Sequence, residues 1–176
     1  NNYEKLLENI RELEEKIGYS FKNKDNLLLA LTHSSYANEN KADKLQNNER
    51  LEFLGDSVLS LVISEIIYKK YSHLTEGEMT KARANIVCET SLVKCSNAIG
   101  LGKYLLLGKG EEMTGGRTRI SILSDAFESL IAAIYIDGGI KHARKFISTV
   151  MGQLIKDSVN GIIFLDYKTQ LQEQVQ

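Results

Sequence analysis

The residues best suited to chemistry in this chain are acids set among apolar neighbours. Along Asn48-Glu49-Arg50-Leu51-Glu52-Phe53-Leu54-Gly55-Asp56, carboxylates stand at i, i+3 and i+7. At about 100° per residue, Glu49, Glu52 and Asp56 fall within roughly 60° of one another on a helix. Ser121-Ile122-Leu123-Ser124-Asp125-Ala126-Phe127-Glu128 repeats the i, i+3 spacing with Asp125 and Glu128. Like charges so placed destabilise a helix by roughly a few tenths of a kcal/mol per pair, and desolvating them costs far more unless something compensates. The ordinary destination for such acids is a solvated helix face. Here, however, Asp56 leads into Val58-Leu59-Ser60-Leu61-Val62-Ile63 and Glu128 into Leu130-Ile131-Ala132-Ala133-Ile134-Tyr135-Ile136. Both helices therefore read as apolar nearly all round and buried. A divalent cation is the obvious compensation. Oxygen donors without a neighbouring Cys or His favour Mg²⁺ or Mn²⁺ over zinc or copper.

Helices must carry these groups, and the apolar spacing supplies them. Tyr3, Leu6, Leu7, Ile10, Leu13 and Ile17 recur at helical intervals before Gly18, a C-cap residue. A second helix is expected from Asp25 to Tyr36, then a polar loop from Ala37 to Asn48, then the first acid-bearing helix from Glu49 to Tyr71. Thr75-Glu76-Gly77-Glu78 has capping-box spacing and should open one helix running to about Ala98, stopping near Gly100. Gly-rich irregular chain follows through Gly116. The second acid-bearing helix spans Ile120 to Asp137, closed by Gly138-Gly139, and another covers Ile140 to Ile155. No period-2 pattern competes, so the expected fold is all-α. After Gly161 a short apolar segment leads into Asp166-Tyr167-Lys168-Thr169-Gln170-Leu171-Gln172-Glu173-Gln174, polar and helical in character, with too few apolar residues for a core of its own.

The 176 residues allow one well-formed core plus a tail. The chain opens on Asn1 rather than Met, as a processed fragment would. No signal peptide is evident, and no apolar run approaches the roughly 18 residues of a membrane span. Cys88 and Cys95, seven apart on one expected helix, would lie about 10 Å apart along its axis, too far for a disulfide; reduced thiols fit the cytoplasm. A net charge of −1 does not by itself announce a nucleic-acid binder. Any polyanion would have to meet local basic patches, or cations screening the acids.

The run from Glu49 to Asp56, continuing through Ser57-Val58-Leu59, resembles the signature motif of the ribonuclease III family almost residue for residue. Thr32-His33-Ser34-Ser35, Glu76-Gly77-Glu78-Met79-Thr80 and Ser121 to Glu128 are similar to the family's other blocks, in the family's order. The resemblance implies that residues 1–155 form the all-α ribonuclease III endonuclease domain. It implies that 156–176 are the linker and start of a truncated double-stranded-RNA-binding domain. The implied activity is Mg²⁺-dependent hydrolysis of double-stranded RNA to 5′-phosphate and 3′-hydroxyl ends, with water as nucleophile, serving the processing of rRNA and other RNAs in the cytoplasm.

By the same resemblance Glu52, Asp56, Asp125 and Glu128 are the metal acids, Asp56 and Glu128 are catalytic, and Glu128 is the residue whose loss abolishes chemistry. Glu49 and Glu76 would line the RNA-binding valley; they read equally well as a helix N-terminal acid facing the dipole and a capping-box neighbour. Phe53 lies about 40° from Glu49 on the wheel. From the residues alone it is a core side chain reached by helix tilt, the favoured reading, or an exposed anchor for a partner; the resemblance makes it the anchor of a homodimer, entering a pocket on the other subunit. Lys81, Arg83, Arg117 and Arg119 are candidate phosphate contacts or simply solvated surface. Gly115-Gly116-Arg117 is a turn before it is a phosphate loop, and His33 reads as a satisfied buried histidine.

Two other classes fit the residues less well. A non-catalytic RNA-binding scaffold of this fold would have lost acids that this chain retains. A carboxylate-bridged di-iron oxidase needs Glu-x-x-His pairs, and none of His33, His73 or His142 lies three residues after an acid.

Overall fold

The N-terminal apolar spacing folds into α1 (Asn2–Ile17), whose Ile10, Leu13 and Ile17 turn inward; Gly18 ends it at φ 68°. The structure is a computed structural model and describes residues 2–40 and 46–175. Next come α2 (Lys24–Leu31) and α3 (Ser34–Glu39), separated where a single helix from Asp25 to Tyr36 was expected. The break has a cause. Leu106 N donates to Leu31 O (2.8 Å) and His33 N donates to Leu106 O (3.1 Å), which draws Thr32-His33 into extended chain. The expected loop from Ala37 accordingly starts later; its residues 41–45 lie outside the described residues.

The first acid-bearing helix is α4 (Glu49–Lys70). The capping box forms at Thr75 and opens α5 (Glu76–Val87), but the helix expected to continue to Ala98 stops at Cys88 and resumes as α6 (Glu89–Ala98). Ser91 explains the break: its Oγ donates to Asn85 O (2.7 Å) and its N–H to Cys88 O (3.0 Å), turning the chain. Cys88 is thus an exposed junction residue, Cys95 is buried in α6, and both are free thiols. The Gly-rich stretch is ordered, with short 3₁₀ turns at Leu101–Tyr104 and Gly116–Thr118 flanking α7 (Lys109–Met113).

At the centre lies α8 (Ile120–Gly138), with Phe127, Leu130, Ile131 and Ile134 fully buried. Its most extensive partner is α4, and α2, α6 and α9 (Ile140–Val175) cover its other sides. The all-round apolar reading holds for α8 but not for α4, which buries only one side and leaves Phe53, Leu61 and Tyr68 exposed. Gly55 marks the crossing of α4 and α8: a Cβ there would collide with the Glu128 carbonyl. At the C-terminal end of α8, Asp137 accepts from Tyr19 Oη (2.6 Å), Lys22 N (2.8 Å), Asn23 N (2.9 Å) and Asn26 Nδ2 (3.1 Å), tying the α1–α2 turn to the central helix.

Helix α9 runs unbroken past residue 155. Ala143 through Ile162 keep an inward stripe, and beyond it Phe164, Leu165, Tyr167 and Leu171 are exposed. No strand forms among the described residues, and no described helix is long and apolar enough to cross a membrane.

Candidate active site

Close approach at Gly55 brings Glu52 of α4 against Asp125 and Glu128 of α8, while Asp56, expected as a fourth ligand, is not among the converging acids. Glu52 from α4 and Asp125 and Glu128 from α8 each offer a carboxylate oxygen within 4.8 Å of the others, and all three side chains are half-buried. Glu49 and Asp56 are exposed on the same helix and act on the cluster through their charge. Burial, with Asp56, Glu52 and Asp125 alongside, pushes the Glu128 carboxyl up to about 8. Burial and then the charges of Asp125, Glu49 and Asp56 raise Glu52 as well. Asp125 is raised by burial and by Glu89 at the start of α6, against a hydrogen bond from Ser124 Oγ (3.4 Å) and the charge of His33. None of the three forms an ion pair with a described Lys or Arg.

A cluster of converging oxygens, short of positive charge and free of Cys and His donors, fits a hard divalent cation. The ion would offset the burial and mutual repulsion that raise these three carboxyls.

The remaining residues fall elsewhere. Glu76 opens α5 and accepts from Thr80 Oγ1 (3.0 Å), away from the acid cluster, on a cavity of about 410 Å³ shared with Leu61, Ser64, Tyr68 and Arg83. Arg83 donates to Ser64 Oγ (3.0 Å), and Lys81 is exposed. Arg117 is committed to its own loop, donating to Gly102 O (3.0 Å) and Leu105 O (2.8 Å) and pairing with Glu112; Arg119 pairs with Glu111. Phe53 is 80% exposed rather than core. His33 is half-buried and caps α3, its Nδ1 against Ser35 Oγ (2.8 Å).

Sequence reasoning passed over Glu89, whose charge reaches Asp125, and two buried polar residues beside the acids, Asn48 and Ser129. A signal existed for Ser129: a hydroxyl inside an otherwise apolar helix requires a partner.

A family model described as Ribonuclease-III-like matches residues 23–154. "Ribonuclease 3" of Caldanaerobacter subterraneus subsp. tengcongensis is 57% identical over 164 residues, covering 93% of this chain and 72% of that protein. "Ribonuclease 3" of Clostridium acetobutylicum is 53% identical over 98% of this chain and 73% of its own length. Among solved structures, a ribonuclease III nuclease domain from Campylobacter jejuni superposes with a TM-score of 0.76 at 41% identity, covering 82% of this chain and 96% of that one. That structure is described as flexible in a region involved in dimer formation.

Proposed function

This chain belongs to the ribonuclease III family and is an endoribonuclease, and from that premise we propose that it hydrolyses double-stranded RNA at the α4–α8 acids in a Mg²⁺-dependent reaction. The observation that carries the reading is the convergence of Glu52, Asp125 and Glu128 on one point. Glu52, Asp56, Asp125 and Glu128 hold the cation, with Mn²⁺ as a substitute. When bound, it supplies activation of water, orientation of the scissile phosphate and charge stabilisation at the leaving oxygen. Asp56 is the one of these four acids that is exposed, and its charge acts on Glu128. The Ser124 hydroxyl lies between two acceptors, Ser121 O (3.0 Å) and Asp125 Oδ1 (3.4 Å). The products carry 5′-phosphate and 3′-hydroxyl ends, and the reaction serves the maturation and decay of rRNA and other transcripts.

The active form is a homodimer in which Phe53, an exposed aromatic beside Glu49 on α4, enters the partner. Two-fold pairing gives a valley with an acidic site toward each end, one per RNA strand. Glu49 and Glu76 line that valley. Lys81, exposed, and Arg83, which donates to Ser64 Oγ, are the candidates for phosphate contacts, while Arg117 and Arg119 serve first to shape the loop before α8. Residues 1–155 form the endonuclease domain, and 156–176 lead into an RNA-binding domain. Two free thiols suit a reducing compartment, and the reading places the reaction in the cytoplasm.

The test is incubation with a long RNA duplex at low salt, with Mg²⁺ or with chelator, comparing the wild type with Glu128→Gln and resolving product ends. Metal-dependent cutting to 5′-phosphate ends, absent in the variant, is expected. Binding without cutting, persisting with Mn²⁺ and in a longer chain that includes the RNA-binding domain, would favour a scaffold instead.

A further inference from the structure

Asn48 stands at the N-cap of α4 yet does not cap it. The usual role of Asn there is to accept from the first-turn amides, but the Asn48 side chain makes no such bond; Asn47 Oδ1 takes the Glu49 N–H instead (3.1 Å). Asn48 is buried and turned toward other elements. Its Nδ2 donates to Ala30 O (3.1 Å) and its backbone N–H to Thr32 O (2.9 Å), satisfying carbonyls at the C-terminal end of α2. Its own carbonyl accepts from Glu52 N within α4 (2.9 Å) and also from Ser129 Oγ on α8 (3.1 Å).

Ser129 is equally unusual. A serine inside a helix commonly returns its hydroxyl to the carbonyl four residues back; this one is fully buried and donates across 81 residues of sequence. It directly follows Glu128, and its acceptor directly precedes Glu49 and is bonded to Glu52. The contact at Gly55 limits how closely α4 and α8 approach. The Asn48–Ser129 bond is a second contact, seven residues or roughly 10 Å away along α4. Within the extensive apolar α4–α8 interface it is a directional bond, which fixes the register of the two helices more sharply than apolar packing does.

We propose that the Asn48–Ser129 hydrogen bond is a positioning latch for the acidic site, holding α4 and α8 so that Glu52 and Glu128 stand at chelating separation before an ion arrives. The inference rests on the cation reading given above. Asn48 and Ser129 touch neither ion nor substrate; they act through the backbone of the helices that carry the ligands. Outer-shell groups that orient ligands typically alter metal affinity by roughly ten- to a hundredfold when removed.

The experiment measures Mn²⁺ binding to the RNA-free protein by electron paramagnetic resonance of the free ion, below the melting transition of every variant. Ser129→Ala should weaken binding about tenfold, and Glu128→Gln should weaken it further. Ile134→Val, which loosens the same buried helix away from the latch, should bind like the wild type. Should Ser129→Ala fail to fold, Ser129→Cys, close in shape and a far weaker donor, takes its place with the same expectation. Wild-type affinity in the Ser129 variant alongside loss in Glu128→Gln overturns the latch alone. Wild-type affinity in Glu128→Gln overturns the cation site itself. Equal weakening in Ile134→Val reduces Ser129 to general stability and also overturns the latch.

Discussion

Glu128 keeps its proton into the neutral range in the metal-free protein because burial and three neighbouring acids oppose its charge. Between its ordinary 4.5 and about 8, the folded protein holds a proton that the unfolded chain has released, so stability falls as pH rises through that window. Denaturant titrations in chelator should therefore show Glu128→Gln more stable than the wild type at pH 9, with the gap closing near pH 4. Asp137 behaves oppositely. Burial raises it, but bonds from Tyr19, Asn23, Lys22 and Asn26 outweigh that and hold it at about 2. Its contribution is present above pH 4 and lost as pH falls toward 2. Asp137→Asn should cost about 1 kcal/mol at pH 7, discounted for exposure, and much less at pH 2, where half of the folded carboxyls are protonated, as thermal melts at the two pH values would show. The acids of α8 were legible from spacing because that helix is apolar all round; the same argument applied to α4 placed Asp56 with Glu52, whereas α4 buries one side only and leaves Asp56 exposed. The contributions of Glu89 and His33 were not legible, since both reach Asp125 only through the tertiary arrangement of α3, α6 and α8.

Between elements, the decisive quantity is the distance from α4 to α8. Gly55→Ala places a methyl against the Glu128 carbonyl, and the helices must part to admit it. The expected loss is about 3 kcal/mol of stability, read by urea unfolding, with a drop in Mn²⁺ affinity even where the fold survives. The main helices could be read from apolar periodicity, and α4 and α8 fall within a residue of their expected ends. The breaks at Thr32-His33 and Cys88 could not. Each depends on a hydrogen bond local sequence does not disclose, from Leu106 in one case and from the Ser91 side chain in the other. Propensity alone continues a helix through such points.

For the molecule as a whole, the exposed face of α4 is the feature that a single chain does not explain. Phe53, Leu61 and Tyr68 share it. Phe53→Ala should raise the dimer dissociation constant on the order of tenfold or more, measured by equilibrium sedimentation, with the melting temperature of the dilute chain unchanged because the ring is 80% exposed there. An unchanged dimer would remove Phe53 as its anchor. The burial of α8 has a further consequence, in time rather than space. Amides between Phe127 and Ile134 have no route to water short of parting the helices around them, so hydrogen–deuterium exchange there should proceed only through global unfolding. Asp125 and Glu128 should thus ride on the slowest-exchanging helix among the described residues, with adjustment during turnover left to α4 and to whatever binds against it.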